Sequence, residues 1–396
     1  MTNILLGQLG SNGDCLYATT IARQIKHDFP DCHLTWAISS LCKGVIENNP
    51  HVDAVWEIQV PSWSDLDAAW NAFEAEASRE LARGRFDHIF LTQICPNRFG
   101  NYDGTVRPSI FRNYPRPITV PIETVIQLTD SEKQKVASWV EAKGLTNFEK
   151  VVIFECSSKS GQSFMTPALA ADIASLVVKS HPDIAFVLST HEPVTSDLPQ
   201  VIHGGELSMR ETAALTHHAD LFVGCGSGLT VVATSGAAKP RLPNIQVLKR
   251  STSVYASFKH DFEYFGKSSA HFLETTQSSP EHLVRTIIAA LTDGISHARQ
   301  QFGEEIPLDF HWYFELIDMM LLQKRQYIEA ANSLIVTIER YGRRPDLLRF
   351  ANALVRPFVE LDPCSGYPRG REIIDRLKAV LASDDALYRR KMKVSA

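Results

Sequence analysis

The sequence lacks the features that would point to a membrane, an oxidising compartment or a nucleic acid. No stretch of its 396 residues approaches the roughly 18 consecutive apolar residues of a membrane span, and no basic region precedes an apolar run at the start, so we expect neither a span nor a secretion signal. Seven cysteines form an odd set without a C-x-x-C pair, which argues against a disulfide framework and favours a reduced cytoplasm. The formal charge of −5 gives no general reason to bind nucleic acid.

Metal-ligand patterns are scarce as well. His217 and His218 have no suitably spaced third ligand, and no D-x-D pattern suits a metal-bound diphosphate. We therefore expect no metal and no cofactor.

The chain does contain two series of apolar strands that alternate with amphipathic helices. Its length exceeds what one core usually supports, so we expect an N-terminal domain over 1–146, a second over 147–295 and a helical region without strands over 296–396. Strands that alternate with helices predict an α/β fold with two doubly wound, Rossmann-like parallel sheets that face a cleft. Ligands of such sheets bind at the carboxyl ends of the strands.

Residues 221–240 predict a buried strand, a glycine-rich turn and a helix, and we call residues 224–230 the elbow. Gly226 and Gly228 permit a close backbone approach, and Ser227 or Thr230 can cap the helix with a hydroxyl. The N–H groups at such a helix start bind anions. Glycines at a strand-to-helix turn also serve the bend alone, so the motif by itself leaves both interpretations open.

A polar loop follows the first strand and supplies a candidate acid. The first loop, residues 8–13, contains Gly10, Ser11, Asn12 and Gly13, which we predict to contact an acceptor, and Asp14 follows it at the start of a helix. A carboxylate at the end of a strand, beside flexible neighbours, can take a proton from an acceptor hydroxyl. Asp14 can equally serve as a helix cap.

Three further loops carry candidate ligands. The segment after the strand at 151–154, here the β5 loop (156–165), offers Ser157, Ser158, Lys159, Ser160 and Gln162 to a donor diphosphate. His191 follows a later strand and Glu206 precedes a capped helix, at places where base and ribose contacts could form, and both can equally be structural.

Residues 92–117 predict one long loop that is rich in proline and glycine. Long loops in compact domains are commonly functional. Arg98 and Arg112 in this loop could clamp an anionic acceptor, although solvated loop charges explain them too.

We expect the helical region over 296–396 to pack either on the sheets or on a second copy of the chain. In the second case the protein would be a homo-oligomer.

Several of these stretches resemble one glycosyltransferase family. Residues 4–14, 28–36 and 47–55 resemble the N-terminal half of the bacterial ADP-heptose heptosyltransferases of glycosyltransferase family 9. The elbow lies where that family has its second glycine-rich donor motif, and it is closer to the variant of the autotransporter heptosyltransferases. The resemblance implies the GT-B fold, with the acceptor on the N-terminal domain and the nucleotide sugar on the second.

The resemblance also implies a function. It implies an inverting, metal-independent glycosyltransferase that moves a heptose or related sugar from a nucleotide diphosphate to a glycan or protein hydroxyl, with Asp14 as base and Leu229 among the donor contacts.

This chain departs from the family in two places. In the elbow, Gly226 replaces an acidic residue and Val231 replaces a histidine, and in the β5 loop Gln162 lies where the family usually has a lysine. These departures keep a second hypothesis open, a non-catalytic nucleotide- or sugar-binding protein that acts through its helical tail. A nicotinamide-dependent enzyme is a third, and Gly13-Asp14 in place of G-x-G-x-x-G argues against it.

Overall fold

The computed structural model describes residues 1–159, 161–194, 196–357 and 370–382. The chain divides into two compact units. The first comprises Met1–Leu91 and Arg116–Leu308, and the second comprises Thr92–Pro115 and the chain from Asp309 onward. The predicted domain limits, 1–146, 147–295 and 296–396, stay predictions.

The first unit begins with a four-stranded parallel sheet. Its strands are β1 (Thr2–Gly7), β2 (Cys32–Ser39), β3 (Ala54–Ile58) and β4 (His88–Leu91), in the spatial order β3-β2-β1-β4. Leu6 lies opposite Trp36 in the register, and both side chains are fully buried. Near-continuous apolar strands are what a parallel sheet covered on both faces requires, so the sequence predicted these four strands correctly.

A second parallel sheet of six strands completes this unit. Its strands are β5 (Lys150–Glu155), β6 (Ile184–Ser189), β7 (Val201–His203), β8 (Leu221–Gly224), β9 (Asn244–Val247) and β10 (Phe272–Thr275), in the order β10-β9-β8-β5-β6-β7. Phe154 pairs with Leu188 and Val223 on its two sides, at the middle of the sheet. All three side chains are buried in one apolar core, together with side chains of the helices that flank the sheet.

Helices flank the two sheets of the first unit. They are α1 (Asn12–Asp28), α2 (Leu66–Ala82), α4 (Asp130–Ala142), α5 (Pro167–Ser180), α6 (Met209–Leu215), α7 (Gly228–Ala233), α8 (Ser253–Ala256), α9 (Phe258–Tyr264), α10 (Pro280–Thr292) and α11 (Ile295–Phe302), with α3 in the second unit. At the start of α4, Glu132 donates its N–H to the Thr129 hydroxyl and accepts from the Thr129 N–H at 2.7 Å. This is a capping box, which the Thr-x-x-Glu pattern of residues 129–132 predicts, and a second one starts α6, where Ser208 and Glu211 have the same spacing.

Some elements were not predicted. The strands β7 and β10 and the helices α8 and α9 are too short to show a clear periodic pattern. Helix α11 was missed although Ile295, Ala298 and Phe302 have helical spacing. The short helix predicted over 41–48 is a 3-10 turn at Lys43–Ile46.

The second unit is helical in its described residues. It contains α3 (Val106–Arg112), α12 (His311–Ile317), α13 (Tyr327–Tyr341), α14 (Pro345–Phe350) and α15 (Gly370–Ala382), and π-helical turns extend α12 and α14. The predicted C-terminal helical appendage is confirmed. The ends of the helices predicted over 345–359 and 372–388 lie outside the described residues.

The prediction of one long loop over 92–117 was wrong. The segment contains α3 and a 3-10 turn at Phe99–Asn101, and α13 anchors it. Asn332 donates to the Gly100 carbonyl at 2.8 Å, and the Ser333 hydroxyl donates to the Tyr102 carbonyl at 2.6 Å. These contacts join residues more than 200 positions apart, so local composition could not reveal them.

A buried ion-pair cluster centres on Asp103 in the same unit. Its fully buried carboxylate accepts hydrogen bonds from Arg112, from Arg340 at 2.8 Å, and from the N–H of Thr105 at 3.0 Å. Burial alone would oppose ionisation, but the two guanidinium groups outweigh it and lower the pKa of Asp103 to about 2. The cluster ties the internal segment to the C-terminal helices of the unit.

We expect Asp103→Asn to destabilise the second unit by about 3 kcal/mol, the lower end of the cost of breaking a buried ion pair, because the partly exposed Arg112 can be hydrated again. Chemical denaturation of the full chain measures this loss. Because the folded pKa lies below the ordinary 3.8, the native chain should exceed Asp103→Asn in free energy of unfolding by a constant amount above about pH 4. This advantage should shrink only as the pH falls toward 2. An advantage that shrinks already between pH 8 and 5 would contradict this assignment.

Candidate functional site

A cavity lies between the first loop and the loops that follow several strands of the second sheet. This elbow cavity has a volume of about 390 Å³. It is lined by Ser11, Asn12, Gly13, Trp63, Glu155, Ser157, Lys159, Ser189, Thr190, His191, Gly204, Gly205, Leu207, Met209, Thr212, Ser227, Gly228 and Leu229. Because β5, β6, β7 and β8 are parallel, their carboxyl ends meet at one edge of the sheet, where ligands of such sheets bind.

The helices α1 and α7 approach each other through glycines at the cavity wall. A Cβ atom on Gly13 would lie 3.4 Å from the Cα of Gly228, and a Cβ on Gly228 would lie 3.1 Å from Met209 Cε and 3.5 Å from the Gly13 nitrogen. The starts of both helices therefore reach the same cavity, and larger side chains at these two positions would crowd it.

The first loop differs in one detail from its prediction. Helix α1 begins at Asn12 with Ser11 as its N-cap, two residues before the predicted start at Asp14. Ser11, Asn12 and Gly13 line the cavity, and Gly10 lies behind them against Leu66. The Asn12 side-chain oxygen is buried without a hydrogen-bond partner among the described residues, so it can accept from a ligand.

Asp14 occupies the third position of α1, directly after Gly13. Its carboxylate accepts from the Ser11 N–H at 3.3 Å, as the acid of a capping box does. Burial raises the pKa of Asp14 to about 7, against the opposing effect of its hydrogen bonds to Ser11. A carboxylate with a pKa near neutrality suits a proton acceptor, and the hydrogen bond to Ser11 suits a cap. Asp14 itself is not among the residues that line the elbow cavity, although its neighbours Ser11, Asn12 and Gly13 are.

The elbow turns only part of its surface toward the cavity. Ser227, Gly228 and Leu229 line it, whereas Thr230 is fully buried and Gly226 adopts the left-handed conformation, with φ of +66°, that glycine tolerates. The predicted hydroxyl cap of α7 is absent, because the hydroxyls of Ser227 and Thr230 bond elsewhere.

The partner of those hydroxyls is Glu155, which the sequence analysis missed. It is the last residue of β5, its side chain is buried, and it lines the cavity. Burial raises the pKa of Glu155, and its hydrogen bonds to the elbow oppose the shift. An acid at the end of an otherwise apolar strand was the available signal, since a carboxylate at that position must find donors nearby.

The β5 loop brings only some of its predicted residues to the cavity. Ser157 and Lys159 line it, and Lys159 Nζ lies 5.5 Å from the ring centroid of Trp63. Trp63 is an exposed side chain of the 3-10 turn at Trp63–Asp65, after β3, and it was also missed. Ser158 accepts from the Ser163 N–H at 3.1 Å, and Gln162 is buried. Ser160 lies outside the described residues.

His191 and Glu206 have different surroundings. His191 lines the cavity. Glu206 accepts from the Trp139 indole at 2.7 Å and from Lys143 at 3.1 Å, and these contacts lower the pKa of Glu206. The structure thus gives Glu206 a structural contact with α4, while its neighbour Leu207 lines the cavity.

Arg210 joins the two sheet regions beside the cavity. This buried residue of α6 donates to both carboxylate oxygens of Glu132 and, at 2.6 Å each, to the carbonyls of Glu47 and Gln127. The contact with Arg210 lowers the pKa of Glu132 to about 2, so the pair stays charged at neutral pH. These contacts hold the start of α6 in place, where Met209, the residue before Arg210, lines the cavity.

The two predicted acceptor arginines belong to the second unit. Arg112 bonds to Asp103 and to the Asn101 carbonyl at 2.8 Å, so it has a structural role there. A role of Arg98 or Arg112 in acceptor binding stays a prediction.

Metal-ligand clusters and membrane-spanning helices are both absent from the described part of the chain. Among the described residues, no group of three or more His, Cys, Asp or Glu side chains could hold a metal ion. No described helix has both the length and the hydropathy to cross a bilayer.

Comparison with solved structures identifies the architecture. No family profile matches the sequence, and no curated protein matches it. The structure of E. coli ADP-heptose lps heptosyltransferase II superposes with a TM-score of 0.51 at 13% identity, over 74% of this chain and 99% of that one. The chain has the GT-B fold.

Other solved structures match more weakly. The Veillonella parvula glycosyl transferase of family 9 has a TM-score of 0.48 at 13% identity, over 81% of this chain and 98% of that chain. Acinetobacter baumannii MurG has a TM-score of 0.42 at 13% identity, over 82% and 100%. The heptosyltransferase II comparison confirms, at the level of the fold, the resemblance that the sequence indicated.

Proposed function

We propose that the protein is an inverting, metal-independent glycosyltransferase that moves a sugar from a nucleotide diphosphate donor to an acceptor hydroxyl. The observation that supports this most is the elbow cavity, in which the first loop of one GT-B sheet meets the strand ends of the other. Its volume suits a nucleotide-sized ligand, for which pockets of roughly 300–1,000 Å³ are typical. A heptose or related sugar is the proposed donor group, in line with the fold comparison.

In this proposal Asp14, Lys159 and His191 each have a part in the reaction. Asp14 takes the proton of the acceptor hydroxyl as that oxygen attacks the anomeric carbon, and a pKa near 7 allows it to be ionised beforehand. Lys159 can neutralise the leaving diphosphate and His191 can hydrogen-bond to it, because both line the cavity. Attack from the face opposite the leaving group in a single step inverts the anomeric configuration.

One observation favours a second candidate function. Glu155 engages the elbow donors that the sequence analysis assigned to the diphosphate. A non-catalytic protein that binds a nucleotide or sugar would tolerate such a change. It would bind a donor without turnover, and the helical unit would then carry the function, for instance in a homo-oligomer.

A ligand panel separates these candidates from an unrelated function. Thermal denaturation of the full chain with ADP-, GDP- and UDP-sugars should show a rise in melting temperature for one base, because a ligand that binds only the folded state stabilises it. Release of nucleoside diphosphate from that donor, with glycan and protein acceptors added, then separates the enzyme from the binding protein. A preference for NAD over every nucleotide sugar would overturn the proposal.

We expect Lys159→Ala to weaken binding of the selected nucleoside diphosphate by about tenfold, the loss of one charge contact to phosphate. The melting temperature without ligand should not change, because Lys159 lies in a loop and contacts Trp63 with only its charged end. Lys179→Ala, an exposed lysine at the end of α5, is the matched control. Equal affinities of native chain and both variants in a calorimetric titration would remove Lys159 from the site.

A further inference from the structure

One carboxylate accepts hydrogen bonds from most of the elbow. Glu155 Oε2 accepts from the Cys225 N–H at 2.7 Å and from the Thr230 hydroxyl at 2.8 Å. Glu155 Oε1 accepts from the Leu229 N–H at 3.1 Å and from the Ser227 hydroxyl. These four donors converge as they would on one end of a bound anion, and the chain itself supplies that anion.

A second buried side chain engages the next backbone donor. Gly226 donates its N–H to Gln246 Oε1 at 2.8 Å, and Gln246 is fully buried. The N–H groups of residues 225, 226 and 229 and both elbow hydroxyls therefore donate into the protein. A diphosphate could use these donors only by displacing Glu155 or Gln246.

The charge of Glu155 also acts on any ligand in the cavity. Burial raises the pKa of Glu155, but each of its oxygens accepts from a backbone N–H, which can only donate, and these bonds oppose the shift and favour the ionised carboxylate. A negative charge beside the first N–H groups of α7 cancels the attraction that a helix start has for anions. It repels a second anion at the elbow but not an uncharged hydroxyl.

We propose that Glu155 is a specificity-determining residue that fills the anion position of the elbow, so that the elbow faces the uncharged sugar of the donor. The diphosphate then lies beside Lys159 and His191, which line the same cavity. This inference rests on the proposed function, because it assigns the two ends of the donor within that site. It also explains how the elbow tolerates Gly226 in place of an acid, because β5 supplies the carboxylate from the adjacent strand.

The test compares Glu155→Gln with Glu274→Gln in the full chain. Glu274 is a matched control, since it is also buried near the end of a strand of the same sheet, and it accepts from the Ser257 hydroxyl at 2.7 Å and the Lys259 N–H at 3.0 Å. Calorimetric titrations use inorganic pyrophosphate, the nucleoside diphosphate and the nucleotide sugar selected by the ligand panel.

Removal of the charge at position 155 should shift binding toward phosphate. Glu155→Gln should bind pyrophosphate at least about tenfold more tightly than the native chain, and its preference for nucleotide sugar over nucleoside diphosphate should fall by a similar factor. Glu274→Gln should change neither quantity. If Glu155→Gln weakens all three ligands equally, or leaves the preference unchanged, Glu155 only supports the elbow and the inference is wrong.

A measurement on the native chain covers the case in which Glu155→Gln does not fold. In a crystal structure with the nucleotide sugar, the sugar should lie against Ser227 and Gly228, and the diphosphate oxygens near Lys159 Nζ. A diphosphate oxygen within hydrogen-bond distance of the Leu229 or Cys225 nitrogen would overturn the inference while leaving the proposed function intact. A chain that binds no nucleotide sugar in any form would overturn both.

Discussion

The Asp14→Asn variant is expected to bind the donor as the native chain does and to turn it over about 10²- to 10⁴-fold more slowly, the usual contribution of a positioned base. Asparagine keeps the size of the side chain and an oxygen that can accept from the Ser11 N–H, so the start of α1 should remain intact. It cannot take a proton. Initial rates at saturating donor and acceptor measure the effect.

The pH dependence gives the same substitution a second readout. Because burial raises the pKa of Asp14 to about 7, from an ordinary 3.8, the neutral acid stabilises the fold fully below about pH 4, and this stability is lost as the pH rises through about 7. The native rate should rise over the range around pH 7, where the base ionises. Relative to the native chain, Asp14→Asn should become more stable as the pH rises from about 4 to about 7.

Asp67→Asn provides the matched control for Asp14. Asp67 is an exposed acid in the first turn of α2, and that helix packs on the same sheet as α1. Its replacement should not change the rate. If Asp14→Asn keeps most of the native activity, Asp14 is only the acid of a capping box and another carboxylate must act as base.

Gly228→Val is expected to abolish binding of the nucleotide sugar, a loss of more than about 100-fold in affinity. A Cβ at this position already lies 3.1 Å from Met209 Cε, and the two further methyl groups must occupy the cavity or displace α1 at Gly13. Gly228→Ala should have an intermediate effect, because the flexible end of Met209 can move away from a single methyl group. Titration calorimetry on both variants measures the series.

Gly44→Val serves as the control for this series. Gly44 is exposed in the 3-10 turn at Lys43–Ile46, and a Cβ there would meet nothing within 4 Å. This variant should bind donor normally. A folded Gly228→Val protein with unchanged affinity would show that the elbow takes no part in binding.

The sequence predicted what is encoded locally. The strands β1 to β4 are apolar runs bounded by turn residues, and the capping boxes at Thr129 and Ser208 need only four consecutive positions. The strand-turn-helix of the elbow was equally accessible, because its glycines and its apolar strand are adjacent in sequence. These features were enough to predict two parallel sheets and the edge at which the cavity lies.

Features that depend on distant contacts could not be predicted. Glu155 meets the elbow across 70 to 75 positions, and Asp103 meets Arg340 across 237. From the adjacent residues alone, Glu155 is the last residue of a strand and Asp103 is a charged residue of a loop. The sequence therefore identified the elbow but assigned its donors to a diphosphate, and it interpreted the segment around α3 as a loop.

The most direct measurement of the central claim follows the anomeric carbon of the donor. Nuclear magnetic resonance of the full chain with the selected nucleotide sugar, an acceptor and a metal chelator should show release of nucleoside diphosphate. It should also show one new glycosidic bond of inverted anomeric configuration, with both signals reduced by Asp14→Asn to the extent given above. Tight donor binding with no diphosphate release from the native chain under any acceptor, or a product of retained configuration, would contradict the account.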